Sequence, residues 1–147
     1  MIILDEVEIK NFNIKELVPK SVYDKYGEFS WRFLDKQAVI GLQLFREWWG
    51  VPVMVNNWHN GGRFHNRGFR MPNTTVGAFL SQHKFGRAWD LNVRGIPSDD
   101  VYDSILADED YFFEIGITRM EKKKYTKGWT HIDFALTTFD HIQLIRP

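Results

Sequence analysis

Two short segments, 81–90 (SQHKFGRAWD) and 129–133 (WTHID), constrain this chain more than any other feature. They contain two histidines and an aspartate, at His83, Asp90 and His131. Zinc accepts imidazole nitrogen and carboxylate oxygen, and a catalytic site commonly holds it with three protein ligands while a fourth position stays open for water. We therefore expect the fold to bring the two segments together, with His83, Asp90 and His131 as the ligands of one zinc ion.

Such a ligand set predicts a reaction type. A bound metal ion lowers the pKa of its water and polarises a substrate carbonyl, as hydrolysis of an unactivated amide requires. The predicted chemistry is therefore metal-assisted hydrolysis. Nitrogen and oxygen ligands also accept manganese or cobalt, so the ligand set alone leaves the choice of metal open.

The first segment matches a longer pattern, Ser-x-His-x-x-Gly-x-Ala-x-Asp, at Ser81, His83, Gly86, Ala88 and Asp90. This pattern resembles the signature of the zinc D-Ala-D-Ala carboxypeptidase and L-alanyl-D-glutamate endopeptidase family. The Trp-Thr-His sequence ending at His131 is similar to the segment that supplies the family's last ligand. The resemblance covers roughly residues 51–134. It implies the fold shared with the Hedgehog amino-terminal domain. It also implies a substrate in the stem peptide of bacterial peptidoglycan, where either the L-alanyl-D-glutamate bond or the D-alanyl-D-alanine bond would be cleaved.

The same resemblance implies residues that bind substrate. Arg67-Gly68-Phe69-Arg70 is similar to a family turn whose arginine faces the substrate, which places Arg70 in that role. A planar, permanently charged guanidinium suits both a substrate carboxylate and the oxyanion of the transition state. Arg63 and Arg67 are competing choices.

Two residues of the ligand segments are further candidates for substrate binding. They are Ser81, which is also interpreted as a turn residue, and Trp129. Trp58 and Trp89 are the other tryptophans close to the motifs that could shape a cleft, because large aromatic side chains suit a groove for peptides or sugars.

The general base is not supplied by the resemblance. Many members of the family place a glutamate three residues before the last ligand, where this chain has Gly128, and others place a histidine two residues before it, where this chain has Trp129. Asp133 is the first candidate, because residues two apart on a strand share a face and its carboxylate would lie beside His131. The alternative is that Asp133 orients a ligand histidine.

Four further residues are weaker candidates for the base. Glu121 ends a predicted strand, although the lysines behind it suggest an exposed turn. His59 and His65 lie in a loop rich in turn-forming residues, where a histidine is more often a surface residue. His141, near the end of the chain, ranks below them.

Composition restricts the class of protein. The chain has 147 residues, which suits a single domain, 1–147, with its motif-bearing core at about 51–136. With 19 basic and 19 acidic residues there is no global electrostatic case for nucleic acid or membrane binding. The sequence contains no cysteine, which excludes disulfides and thiolate metal sites.

The amino terminus lacks the features of a secretory signal, and no run is long enough to span a membrane. We therefore expect a monomer synthesised in the cytoplasm that acts on the cell wall after release or as part of a phage particle. The resemblance is to phage-type members, including endolysins and virion-associated enzymes. The alternative function is a non-catalytic zinc-containing binding or virion structural module of the same fold, suggested by Gly128.

Periodicity and turn signals predict the elements. Helices are expected at 21–26 with Ser21 as cap, at 33–49 before Gly50, and at 98–107 with Ser98 as cap. Strands are expected at 51–55, 88–93, 116–120, 129–136 and 141–145. Helices and strands in separate blocks predict an α+β fold, with an antiparallel sheet and flanking helices.

Overall fold

A five-stranded sheet lies at the centre of the structure, a computed structural model that describes residues 2–147. The strands β1 (Ile2–Leu4) and β2 (Val7–Ile9) form a separate hairpin near the amino terminus. The strands of the central sheet are β3 (Val53–Met54), β4 (Ala88–Val93), β5 (Arg119–Glu121), β6 (Thr130–Asp133) and β7 (Gln143–Ile145). Their order is β3-β4-β6-β5-β7. All neighbours are antiparallel except β5 and β7, which are parallel. The expected α+β class is confirmed, and the parallel edge strand is a departure from the expected antiparallel sheet.

Strands β4 and β6 form the middle of this sheet and are almost completely buried. Their register pairs Ala88 with Asp133 and Asp90 with His131. Buried central strands have little freedom to slip, because a shift of one residue would turn every side chain to the opposite face. The sheet therefore fixes where the polar residues of both strands lie.

The longest helix, α2 (Lys36–Trp49), covers the sheet. Asp35 caps its first turn by accepting a hydrogen bond from the backbone N–H of Ala38, and Gly50 ends it in the left-handed conformation, as the sequence predicts. Ala38 is buried, and its carbonyl accepts a hydrogen bond from the indole N–H of Trp89 at 3.0 Å. Trp89 is thus a core residue and does not shape a cleft, which corrects that expectation.

The other helices are α1 (Lys20–Tyr26), α3 (Ser98–Ala107) and α4 (Glu109–Glu114), and an amino-terminal hairpin joins β1 (Ile2–Leu4) to β2 (Val7–Ile9). The helices at 20–26 and 98–107 lie where the sequence predicts them. Their expected caps are wrong, because Ser21 and Ser98 lie inside the first turns and Pro19 and Pro97 precede them without a side-chain cap. Within residues 2–147, no helix has the length and apolar character needed to cross a membrane.

Candidate metal centre

The three predicted ligands reach one point from three parts of the fold. Asp90 on β4 and His131 on β6 lie directly opposite each other in the strand register. His83 lies on a single 3-10 turn, Gln82–Phe85, that precedes β4. Gly86 ends this turn with φ +68°, and a side chain there would run into the backbone carbonyl of Phe33. Glycine at this position is therefore needed both for the turn and for the close packing behind it.

The ligand atoms of His83, Asp90 and His131 all lie within 4.8 Å of one another. His83 Nε2 lies 3.3 Å from Asp90 Oδ2, and His131 Nδ1 lies 2.8 Å from Asp90 Oδ1. All three side chains are buried. Two imidazoles and a carboxylate that converge in this way form a donor set that could hold one metal ion, with both histidines neutral and the aspartate ionised.

The ring nitrogens that point away from the cluster are held by the protein. His83 Nδ1 lies 2.8 Å from the carbonyl oxygen of Gly68, which can only accept, so this nitrogen carries the proton and donates it. When His83 is neutral, as a metal ligand must be, its Nε2 carries a lone pair on the cluster side. Holding the outer nitrogen of a ligand histidine in this way fixes both its tautomer and its orientation.

Asp133 does the same for His131. Its Oδ2 lies 2.9 Å from His131 Nε2, on the other side of the ring from Asp90. Oδ2 also accepts from Arg119 Nη2 at 3.0 Å, while Oδ1 accepts from Arg119 Nε at 2.9 Å and from the backbone N–H of Ala135 at 3.3 Å. With two partners on each oxygen, this fully buried carboxylate has no lone pair left for a water molecule. The geometry therefore favours the orienting role over the role of base.

Arg119, which no sequence motif identifies, completes this arrangement. Its signal in the sequence was its position on a strand next to β6, where it pairs with Asp133 in the register. No motif identifies Gly68 either, because its contribution is a backbone carbonyl. A side chain at Gly68 would run into the carbonyl of Leu17, so its backbone lies too close to that segment for any larger residue.

The electrostatics of the cluster fit a cation. Burial raises the pKa of Asp90, but the charges and hydrogen bonds of His83 and His131 outweigh burial and hold it well below its usual range. Burial lowers the pKa of His131, whereas its hydrogen bonds to Asp133 and Asp90 and the charges of Asp90 and Glu121 raise it to about 10. Without metal, a proton on His131 thus supplies the positive charge that these carboxylates require, and a divalent cation would take its place.

Glu121 lies beside the cluster. Arg119 pairs with Asp133 and Met120 with Ile132, so the end of β5 brings Glu121 next to His131. Its Oε1 lies 3.7 Å from His131 Nδ1, and its side chain is 17% exposed. The lysines that follow do not draw it into solvent, contrary to the sequence argument against it. Glu121 is therefore a carboxylate at the cluster that retains access to water.

A cavity of about 460 Å³ opens over the cluster and is lined by all three predicted ligands and by Arg70, Ser81, Glu121 and Trp129. Asp133 also borders this cavity, although its side chain is fully buried. Arg70 Nη2 lies 3.2 Å from Asp90 Oδ2, and its Nε donates to the carbonyl of Asn66 at 2.7 Å. Burial lowers the pKa of Arg70, while Asp90 and Glu121 raise it. The guanidinium is thus held at the edge of the cavity, next to a predicted ligand.

The remaining candidates separate by position. Ser81 Oγ accepts from the backbone N–H of His83 at 3.3 Å, which confirms its interpretation as a turn residue, and it also lines the cavity. His59 and His65 line other cavities, and neither lines the one over the cluster. His141 is exposed and bonded to Asp140.

Comparison with known proteins adds no relative. No family model, no curated protein and no solved structure matches this chain. What the site can do therefore follows from its own residues.

Proposed function

We propose that this protein is a zinc-dependent peptidase that hydrolyses the stem peptide of bacterial peptidoglycan. The observation that carries the proposal is the convergence of His83, Asp90 and His131 at the floor of an open cavity. The two ligand segments also resemble those of the zinc D-Ala-D-Ala carboxypeptidase and L-alanyl-D-glutamate endopeptidase family. Cleavage of the L-alanyl-D-glutamate bond and cleavage of the D-alanyl-D-alanine bond are both compatible with these residues.

His83 Nε2, one oxygen of Asp90 and His131 Nδ1 are the atoms that would hold the metal. When bound there, zinc would supply Lewis acidity to a substrate carbonyl and to a water molecule. Gly68 and Asp133 keep the two imidazoles in the required tautomers through their outer nitrogens. A site whose ligands are already oriented needs little rearrangement to take up the ion.

Glu121 is the residue that we propose as general base. It has the position that a base requires, beside His131 and on the wall of the open cavity. Its carboxylate would take the proton of the attacking water and deliver it to the leaving amine. This assignment replaces Asp133, whose oxygens are already used by His131, Arg119 and Ala135.

Arg70 would contact the substrate from the edge of the cavity. Its Nη2 is close to Asp90, so a substrate carbonyl bound over the cluster would lie within reach of the same guanidinium. A fixed positive charge at this point stabilises an oxyanion as it develops. Trp129, half-buried in the cavity wall, would provide an apolar surface for the peptide.

The biological setting belongs to the same proposal. The resemblance is to phage-type members, so we propose a monomeric endolysin or virion-associated enzyme, made in the cytoplasm and delivered to the cell wall by release or within a particle. The second candidate is a non-catalytic zinc-containing module of the same fold. The observation in its favour is Gly128, which stands where many members of that family have a catalytic glutamate.

The deciding experiment is digestion of purified peptidoglycans of several cross-link types by the zinc-loaded protein, followed by mass spectrometry of the products. New stem-peptide termini that are absent with His83→Ala would establish a peptidase and identify its bond. A folded, zinc-bearing protein that cleaves none of these substrates would support the non-catalytic module.

A further inference from the structure

A second cavity, of about 480 Å³, lies beside the metal centre and has a strongly basic lining. Arg63, Arg67 and Lys127 line it, together with Arg70 and Asp90, which it shares with the first cavity. Asp90 is its single acidic lining residue, and its carboxylate is already engaged by His83, His131 and Arg70. Within residues 2–147 the remaining three cations form no salt bridge, and the negative charge that acts on Arg67 is that of Asp90.

Arg67 is the central residue of this cavity. It is only 9% exposed, and its Nη1 is buried with no hydrogen-bond partner in residues 2–147. Guanidinium groups have five N–H donors, and a buried donor left without an acceptor costs free energy. Arg67 lines the cavity, and protein acceptors do not saturate its guanidinium, so the group is suited to a ligand that brings an acceptor.

The cavity is held in shape by the backbone around Arg67. Its N–H donates to Asn56 Oδ1 at 2.9 Å, and its carbonyl accepts from the N–H of Asp90 at 2.7 Å. The Arg67 guanidinium lies 4.4 Å from the centre of the Phe64 ring, and that of Arg63 lies 5.3 Å from the same ring. Both guanidinium groups thus contact the same ring through cation–π interactions. An anion bound in the cavity would offset the repulsion between the cations that line it.

We propose that the cavity lined by Arg63, Arg67 and Lys127 is a subsite for an oxyanion, a carboxylate or a phosphate. Arginine binds both groups with paired, charge-assisted hydrogen bonds, and Lys127 adds a point charge to the lining of the same cavity. The subsite depends on its own residues and not on zinc. Its use in selecting a substrate with an anionic group next to the cleaved bond rests on the proposed peptidase function.

The test is a titration of the metal-free, EDTA-treated protein with inorganic phosphate and, separately, with acetate at constant ionic strength. Binding is followed by the ¹⁵N NMR shifts of the arginine Nε–H groups and of the backbone around residues 63–67. We expect saturable shifts, and Arg67→Gln should weaken the affinity by about tenfold, because it removes a charge-assisted bidentate contact. Tighter binding of phosphate or of acetate identifies the preferred anion.

Arg32→Gln is the matched control, because Arg32 also stacks on a phenylalanine, Phe29, at 5.0 Å but lies on the exposed surface elsewhere. It should bind the anions as the wild type does. If Arg67→Gln fails to fold, the double variant Arg63→Gln, Lys127→Gln changes only exposed residues and should also weaken binding.

Linear, unsaturable shifts in the wild type would overturn the subsite, as would unchanged affinity in folded Arg67→Gln or in the double variant. Because no metal is present, this result is independent of catalysis. Anion binding by a protein that cleaves no peptidoglycan would contradict the peptidase alone. Cleavage without anion binding would contradict the subsite alone.

Discussion

Asp133 Oδ2 lies 2.9 Å from His131 Nε2, the ring nitrogen that points away from Asp90. This contact distinguishes Asp133 from Glu121, the other carboxylate beside the candidate metal centre. Asp133 is closed to solvent and saturated with partners, whereas Glu121 is partly exposed in the cavity. Asp133 is therefore suited to orient His131, whereas Glu121 is the carboxylate that remains accessible to water.

Asp133→Asn should weaken zinc binding by about 10- to 100-fold, the usual effect of losing a carboxylate behind a ligand histidine. Activity should fall with zinc occupancy and recover when zinc is added in excess. A chelator competition assay gives the affinity, and cleavage is measured in parallel. Loss of cleavage at full zinc occupancy, with unchanged affinity, would instead return Asp133 to the role of base.

Glu121→Gln should give the opposite result. Zinc content should be unchanged, because Glu121 is not among the three clustered ligands, while cleavage should fall by about 10²- to 10⁴-fold through loss of proton transfer. Glu114→Gln, at an exposed position on α4, is the matched control and should retain full activity. Wild-type rates in Glu121→Gln would remove this residue from the mechanism.

His83→Ala should abolish stoichiometric zinc binding, since two remaining ligands hold the ion poorly. Wild type should contain about one zinc per chain after dialysis, as measured by elemental mass spectrometry. His141→Ala removes an exposed histidine outside the cluster and should keep its zinc. A fully loaded His83→Ala protein would show that the cluster is not the metal site.

The convergence of His83, Asp90 and His131 could be predicted from the sequence, because each is a residue type with a characteristic spacing in a recognisable motif. The α+β class and the positions of α2 and β4 followed from periodicity and from Gly50. The position of Glu121 beside His131 could not be predicted in the same way, because it results from the pairing of β5 with β6, which leaves no fixed spacing along the chain. The contact of the Gly68 carbonyl with His83 could not be predicted from residue type, because every residue has a backbone carbonyl.

The metal-free protein should lose stability as the pH rises above neutrality. The pKa of His131 is about 10 in the folded state and 6.5 without its partners, so its contribution is complete below pH 6.5 and lost as the pH rises toward 10. The free energy of unfolding, measured by urea denaturation between pH 7 and 9, should fall with a slope approaching ~1.4 kcal/mol per pH unit.

Two controls separate His131 from other groups that titrate in this range. Zinc-loaded protein should lack this part of the slope, because a ligand histidine is neutral throughout. Asp133→Asn should flatten the profile, because it removes a hydrogen bond that raises the pKa of His131. A profile that is flat in the metal-free wild type would contradict the assignment.

Gly86→Ala should destabilise the protein more than Gly50→Ala does. Both glycines have φ +68°, but a side chain at Gly50 would meet open space, whereas one at Gly86 would meet the backbone of Phe33 and Leu34. The strain of the left-handed conformation is therefore common to both, and the difference, about 1–3 kcal/mol, reports overpacking. Urea denaturation of the two metal-free variants measures this difference in the free energy of unfolding. Equal destabilisation by the two substitutions would mean that the backbone of Phe33 and Leu34 moves aside at little cost.

Because Asp90 and His131 are opposite each other on β4 and β6, their distance is set by a ladder of backbone hydrogen bonds and not by the long connection between them. Helices α3 and α4 belong to that connection, so insertions there would lengthen the chain without moving either ligand. A slip of one residue between the strands, in contrast, would break the alignment and turn one ligand to the wrong face. Zinc binding at the proposed site would therefore report the strand register, since only a correctly paired sheet brings Asp90 and His131 together.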